Sequence, residues 1–270
     1  MKEVIFSLSD VHYSYLGKYP ALCSVDLEIL KGEKITVIGA NGTGKSTLLQ
    51  ILDGLIFPDK GSVTAFGKQL NEDVFEKIEF SRFFRSNVGF VFQNSDVQLF
   101  CPTVKEDIAF GPLQLGVEKQ EIEGRLKRLA KVFNIEGLME RPIHHLSIGE
   151  KRKVAIATTL AIEPEVLLLD EPTAGLDPQT VRHIVDILVE ANLNGTTIIT
   201  ATHDLHLVEE ISDKVYVLNA QKTIARFGPP DELLADAEFL KNNNLVHIHK
   251  HRHKGQIHVH DHCHYHTDHH

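Results

Sequence analysis

GANGTGKS, residues 39–46, fills every fixed position of the pattern G-x-x-x-x-G-K-[ST]. The apolar run ITVIG at 35–39 reads as a strand leading into it, and Ser46 to Leu55 has the apolar spacing of a helix leading out. A glycine loop between strand and helix turns its backbone N–H groups inward around phosphate oxygens, and the helix N-terminus adds a favourable dipole. Gly39, Asn41, Gly42, Thr43 and Gly44 make up this cradle, Lys45 brings a positive charge toward the β- and γ-oxygens, and Ser46, with Thr47 beside it, offers its hydroxyl to Mg²⁺. The plainer reading is a glycine turn that happens to precede Lys-Ser, and the strand–loop–helix setting argues against it.

Outward from the loop, LLLDEPT at 167–173 supplies two adjacent acids at the end of a run that is otherwise wholly apolar. A short continuous apolar run is what a central parallel strand covered on both faces requires. Sites in α/β sheets collect at the C-terminal ends of strands. Asp170 is therefore the candidate Mg²⁺ residue and Glu171 the candidate for orienting the attacking water in phosphoryl transfer. Further strands are read at 62–66, 88–92, 198–200 and 215–218, and helices at 178–192 and 205–211. Short alternating runs between Val4 and Ile38 predict several early strands, whereas 103–161 is mostly helical, with Leu126, Leu129, Ala130 and Phe133 on one buried face. The expected class is α/β.

Composition bounds the rest. The chain has 270 residues, 42% of them hydrophobic, which suits a soluble globular body. No apolar run approaches the roughly 18 residues of a membrane-spanning helix, and the start MKEVIFSLSD reads as a strand, so the expected compartment is the cytoplasm. A net charge of −9 argues against a nucleic-acid partner, whose phosphates call for a basic surface. Cys23, Cys101 and Cys263 have no framework spacing and read as reduced thiols.

With these residues in place the sequence resembles the ATP-binding cassette ATPases, in motif order, over about residues 3–240. LSIGEKRKVAIA at 146–157 resembles the signature segment particular to that branch of phosphate-loop ATPases. Gln93 resembles the glutamine of the loop after a strand, AGLD at 174–177 the loop after the metal-binding strand, His203 the switch histidine, and Tyr15 the aromatic that stacks on adenine. The resemblance implies a RecA-like phosphate-loop NTPase core with an antiparallel β subdomain and a helical signature subdomain. Residues 1–245 would form the ATP-binding domain, with its helical part at about 96–160. It implies ATP and Mg²⁺ as cofactors, with Ser46, Gln93 and Asp170 at the metal and Lys45, Glu171 and His203 as catalytic residues. It further implies a second cassette as partner, since Ser147 and the N–H of Gly149 would bind the γ-phosphate held by the opposite subunit and Asp177 would line the seam. Ile148 and Glu150 depart from the commonest signature, which has glycine and glutamine there, and leave open whether the pair is homo- or heteromeric.

Residues 92–116, FQNSDVQLFCPTVKEDIAFGPLQLG, resemble more narrowly the energy-coupling-factor cassettes, especially those serving cobalt and nickel uptake. That likeness implies integral membrane subunits, a peripheral place on the cytoplasmic face of the membrane, and docking through apolar residues such as Val97, Leu99 and Phe100. The tail, 246–270, adds separate chemistry: eleven of the 17 histidines lie there, including His247, His249, His251, His253, His258, His260, His262, His264 and His266. Neutral imidazoles suit nickel, cobalt, copper and zinc, with Asp261 and Cys263 as further ligands, and the polar composition predicts disorder without metal. An engineered tag is the plainer reading, and the interrupted spacing argues against it. Competing functions are a cassette for another cargo such as a vitamin, a non-transport cassette acting on nucleic acid, and a metal store with incidental hydrolysis. The absence of a long coiled-coil insertion, a second cassette or a basic stripe argues against the nucleic-acid reading.

Overall fold

A computed structural model describes residues 3–253 and 256–262. The chain opens with a hairpin of β1 (Val4–Tyr15) and β2 (Tyr19–Leu30), turned at Leu16 and Gly17, which both hold positive φ (54° and 62°). Two consecutive positive-φ residues match the twist of paired strands. β3 (Lys34–Ile38) then delivers the glycine loop to α1 (Lys45–Leu52). β4 (Lys60–Ala65) returns to the far side of β1 and is followed by β5 (Lys68–Gln69), giving an antiparallel sheet of order β2-β1-β4-β5. Next come α2 (Glu72–Phe75), α3 (Ile78–Asn87) and β6 (Val88–Val91).

The helical portion consists of α4 (Val104–Leu115), α5 (Lys119–Val132) and α6 (Ile148–Leu160). α4 starts on a capping box, Thr103 with Glu106, and ends at Gly116, whose φ of 80° suits a left-handed cap. Leu126, Leu129, Ala130 and Phe133 are all buried, as their spacing predicts. The remaining body is β7 (Val166–Asp170), α7 (Pro178–Leu193), β8 (Thr197–Thr202), α8 (Leu205–Ile211), β9 (Lys214–Leu218), β10 (Ile224–Gly228), α9 (Pro230–Leu234) and α10 (Ala237–Asn242). The second sheet runs β10-β9-β3-β8-β7-β6, parallel except for the β9–β10 edge pair.

β7 shows why this sheet is central. Val166 and Leu168 pack with α1 and the antiparallel sheet, while Leu167 and Leu169 pack with α4, α5 and α6. Alternate side chains of one strand thus enter two different cores, which explains the unbroken apolar run. Both acids that follow are placed at the strand's C-terminal end, level with the loop that leaves β3. α1 is a little shorter than its apolar pattern: it stops at Asp53, and Gly54 (φ 62°) turns the chain away before Leu55.

The sequence reading passed over α3, which buries Phe80 and Phe84 against Phe75. Cys23 and Cys101 are free thiols; Cys263, His264 and His266 lie outside the described residues. Where composition argues for disorder in the tail, β11 (His247–His253) pairs antiparallel with β12 (Gln256–His262) as a separate two-stranded sheet. Alternation of histidine with Ile248, Ile257 and Val259 is the period-2, β-branched pattern of a strand. Among the described residues, no helix is long and apolar enough to cross a membrane.

Candidate nucleotide site

The glycines of the loop are fixed by crowding. A Cβ on Gly44, which sits at φ 108°, would lie 2.2 Å from the Ala21 carbonyl oxygen, and one on Gly39 would lie 2.7 Å from the Leu218 carbonyl oxygen. Both contacts are with backbone, so neither can yield by a rotamer change. Lys45, the first residue of α1, is buried and folds its Nζ back to donate to the carbonyls of Gly39 (2.8 Å) and Ala40 (3.4 Å). Burial pulls its ammonium below the usual lysine range, opposed by Glu171 and Asp170. A cation held this way is partly stripped of water and aimed at the space the loop encloses.

Glu171 lies at the centre of the site. Its Oε1 is 2.8 Å from His203 Nδ1 and 3.8 Å from Lys45 Nζ, and its Oε2 accepts from the Thr202 hydroxyl (3.1 Å). Its backbone is held at φ 47° by an N–H bond to the Ala201 carbonyl. A non-glycine residue there carries strain of about 1–3 kcal/mol. The hydrogen bond to Glu171 raises the His203 pKa, with burial working the other way. Asp170, one residue earlier, is buried and hydrogen-bonded to Ser46, yet its Oδ1 has no protein partner. Burial raises its pKa. An orphaned buried carboxylate oxygen beside a serine hydroxyl is an all-oxygen donor set suited to Mg²⁺, so the residues present fit that ion.

A cavity of about 470 Å³ joins Tyr15, Gly42, Lys45, Ser46, Thr47, Gln93, Asp170 and Glu171, and Asn41 and Gly44 also line it. Thr43 shapes the loop, donating its N–H and hydroxyl to the Ala40 carbonyl. The half-exposed Tyr15 ring meets Tyr13 edge-on and its hydroxyl reaches Thr47. Tyr19, cross-strand from Tyr15 and also on the cavity wall, was not picked out from sequence; only the hairpin register brings it there.

Gln93 leaves the end of β6 at the cavity edge, and its position depends on a residue that sequence reasoning missed. Arg152 of α6, almost fully buried, donates to the carbonyls of Phe92 (2.8 Å) and Gln93 (2.5 Å). In the sequence it stands between Lys151 and Lys153 in a basic run, which gives no sign that it alone turns inward. Through Arg152, α6 is tied directly to the segment that carries Gln93.

Three expected residues lie elsewhere on this chain. Ser147 and Gly149 open α6 and do not line the cavity. Ser147 caps the helix through a box with Glu150, whose Oε2 accepts from the Ser147 N–H (2.8 Å) while the Ser147 hydroxyl accepts from the Glu150 N–H (3.3 Å). The departure at Glu150 thus retains the helix start, and this bonding lowers its pKa. Ile148 stands 72% exposed at the same end. Asp177 caps α7 through Thr180 and lies on a different, shallow cavity with Lys153 and His183. One chain alone therefore builds half of the expected phosphate shell.

Comparison with known proteins agrees with this geometry. Residues 22–174 match the ABC transporter family. The nickel import ATP-binding protein NikO of Rhodobacter capsulatus is 48% identical over 244 residues, covering 89% of this chain and 95% of the relative. The energy-coupling factor transporter ATP-binding protein EcfA of Methanocaldococcus jannaschii is 44% identical over 89% of this chain and 85% of its own length. Among solved structures, cbiO1 of Clostridium perfringens, part of the ABC transporter complex cbiONQ, aligns with a TM-score of 0.77 at 37% identity, over 90% of this chain and 96% of that one.

Proposed function

The chain belongs to the ABC transporter family of ATP-binding, ATP-hydrolysing proteins, and from that premise we propose that it powers an energy-coupling-factor importer for nickel or cobalt ions. The observation that carries the catalytic part is Glu171, whose carboxylate is gripped by Lys45 and His203 beside the unpartnered Oδ1 of Asp170. Lys45 lines the enclosed space while His203 meets Glu171 from the adjoining hollow, so an arriving γ-phosphate competes for Lys45 and loosens its hold on the carboxylate, which then orients and polarises a water. The loop N–H groups and Lys45 hold the β- and γ-phosphates, while Tyr15 receives the adenine. Ser46, Asp170 and Gln93 would hold Mg²⁺, which when bound would neutralise charge on the phosphate oxygens.

The partner in this reading is a second cassette, a copy of this chain or a paralogue. Its Ser147, Gly149 and Asp177 complete the shell that one chain leaves open. Support comes from the exposed α6 N-terminus, where the capping box occupies the Ser147 and Glu150 N–H groups and the helix dipole still favours an anion. Glu150 adds a negative charge at that same end, which Lys45 on the facing loop would balance.

Contact with integral membrane subunits is assigned to the surface after the glutamine loop. Val97 and Phe100 are exposed there, with Phe110 stacked edge-on against Phe100 and Leu113 nearby in sequence. Leu99, named with them from sequence, is 6% exposed and packs in the helical core, so it is withdrawn from the contact. The cassette then sits as a peripheral subunit on the cytoplasmic face of the membrane, with no nucleic-acid role. The nickel or cobalt cargo rests on the likeness to NikO and cbiO1 and on the histidine tail, which we assign to holding Ni²⁺ or Co²⁺.

The test is uptake. Cells lacking nickel and cobalt import, supplied with this chain and its membrane subunits, should accumulate either ion in an ATP-dependent manner. Accumulation of a vitamin in place of both ions would transfer the chain to another cargo and leave the ATPase assignment standing.

A further inference from the structure

Lys222, in the turn between β9 and β10, holds φ 66°, a left-handed conformation that costs glycine nothing and disfavours a residue with a side chain. The turn around it is tightly made. The Lys222 N–H donates to the Asn219 carbonyl (3.0 Å), the Asn219 N–H donates to the Thr223 carbonyl (3.1 Å), and Asn219 Oδ1 accepts from the Thr223 N–H (3.1 Å). Strained residues persist where their surroundings over-determine them, and they gather at functional sites. Lys222 is held at two points beyond its own turn. Its carbonyl accepts from the Cys23 N–H of β2 (2.8 Å), and its ammonium donates to the carbonyl of Gly42 in the glycine loop.

We propose that Lys222 is a positioning residue for nucleotide binding that acts through Gly42: its ammonium keeps the Gly42 carbonyl turned away from the cavity, which leaves the loop's N–H groups to face the phosphates. Phosphate oxygens are received by N–H groups, so a carbonyl swung inward would set its partial negative charge against them. Gly42 is where that swing meets least resistance, since it sits at φ 77° and a Cβ there would meet nothing within 4 Å. Gly39 and Gly44, by contrast, are wedged against the backbone carbonyls of Leu218 and Ala21. Gly42 lines the cavity and Lys222 does not, so the ammonium reaches the Gly42 carbonyl from outside. Lys45 takes the carbonyls of Gly39 and Ala40 from the cavity side, and the two lysines together hold three carbonyls of the loop.

The proposal rests on the reading of this loop as the phosphate cradle. The experiment uses the full chain with ATP and Mg²⁺, measuring ATP affinity by titration calorimetry, kcat and KM by phosphate release, and stability by urea unfolding. Lys222→Met, which loses the donor, should raise the ATP Kd and KM by about 3–10-fold while kcat stays within about twofold. Lys222→Arg retains a donor and should bind ATP as tightly as the native chain. Lys222→Gly lacks the ammonium but relieves the backbone, so it should resist urea better than Lys222→Met and bind ATP no better. Inorganic tripolyphosphate, competing with ATP, should weaken in Lys222→Met by the same factor as ATP. Native affinity in Lys222→Met, Met-like affinity in Lys222→Arg, or affinity regained together with stability in Lys222→Gly overturns the proposal. So does a loss confined to ATP, which would place the effect on the base side, through Cys23 and β2. A native chain that bound neither ATP nor tripolyphosphate would defeat the cradle itself, a failure separate from that of Lys222.

Discussion

Glu171 occupies a backbone conformation that disfavours it, and its side chain is held by three groups at once. Glu171→Gln keeps the shape and the Thr202 contact but removes the charge that draws Lys45 and His203 and that polarises water. Turnover of ATP should fall by about 10²–10⁴-fold, measured as phosphate release, while ATP affinity stays within a few-fold of native by titration. Unimpaired turnover would remove Glu171 from the chemistry. Most of this constellation was legible in the sequence because it is written in short fixed spacings: Gly39 to Ser46 in one run, Asp170 and Glu171 as neighbours. Arg152 and Tyr19 were not legible. Arg152 matters through two carbonyls some sixty positions earlier in the chain, and Tyr19 through a hairpin register with bulges, so tertiary pairing alone gives either residue its place.

At the scale of elements, α1 is anchored at both ends. Its N-terminus carries the loop, and its C-cap, Asp53, is buried and receives Arg85 of α3 on both its carboxylate (2.9 Å) and its carbonyl (2.8 Å). The Arg85 guanidinium also lies over the rings of Phe75 and Phe84. The sequence concealed this because α3 is short and its Phe80 and Phe84 find partners outside the helix, in Phe75 of α2 and, for Phe84, Phe66 after β4. Burial lifts the Asp53 pKa to about 7, against the pull of Arg85. A carboxyl raised from 3.8 in this way binds a proton more tightly folded than unfolded, so its linkage lowers stability as pH rises from about 4 to 7. Arg85→Ala leaves the carboxylate without its partner. Because Arg85 is partly exposed, the loss belongs near the lower end of the roughly 3–5 kcal/mol for a broken buried pair. Denaturant unfolding should show a larger loss at pH 8, where Asp53 is charged, than at pH 5, where it is neutral; an equal loss at both would show that stacking on the phenylalanines is what Arg85 contributes.

For the whole molecule, the decisive fact is the separation of Ser147 and Gly149 from the glycine loop of their own chain. Both residues open a helix whose start does not line that chain's cavity. Glu171→Gln, which retains ATP, should therefore form a dimer on size-exclusion chromatography when ATP and Mg²⁺ are present. Adding Ser147→Arg, which sets a long side chain in the path of an approaching loop, should return it to monomer while each monomer still binds ATP. If the pair is heteromeric, the same contrast should appear when the paralogue is supplied. Through motif order the sequence disclosed the family and, by resemblance, the expectation that Ser147 and Gly149 act on an opposite subunit; positions in space add that neither residue lines the cavity of its own chain.

The point where the tail leaves the body has a practical consequence. Leu245 is 4% exposed, packs with Leu205, Val208 and Leu240, and also lines the hollow that holds His203 and Glu171. Leu245 is thus a wedge beneath α8, the helix that starts two positions after His203. Shortening the protein a single residue too far would hollow out that support and disturb hydrolysis for reasons of packing, and the damage would be mistaken for a message from the histidines.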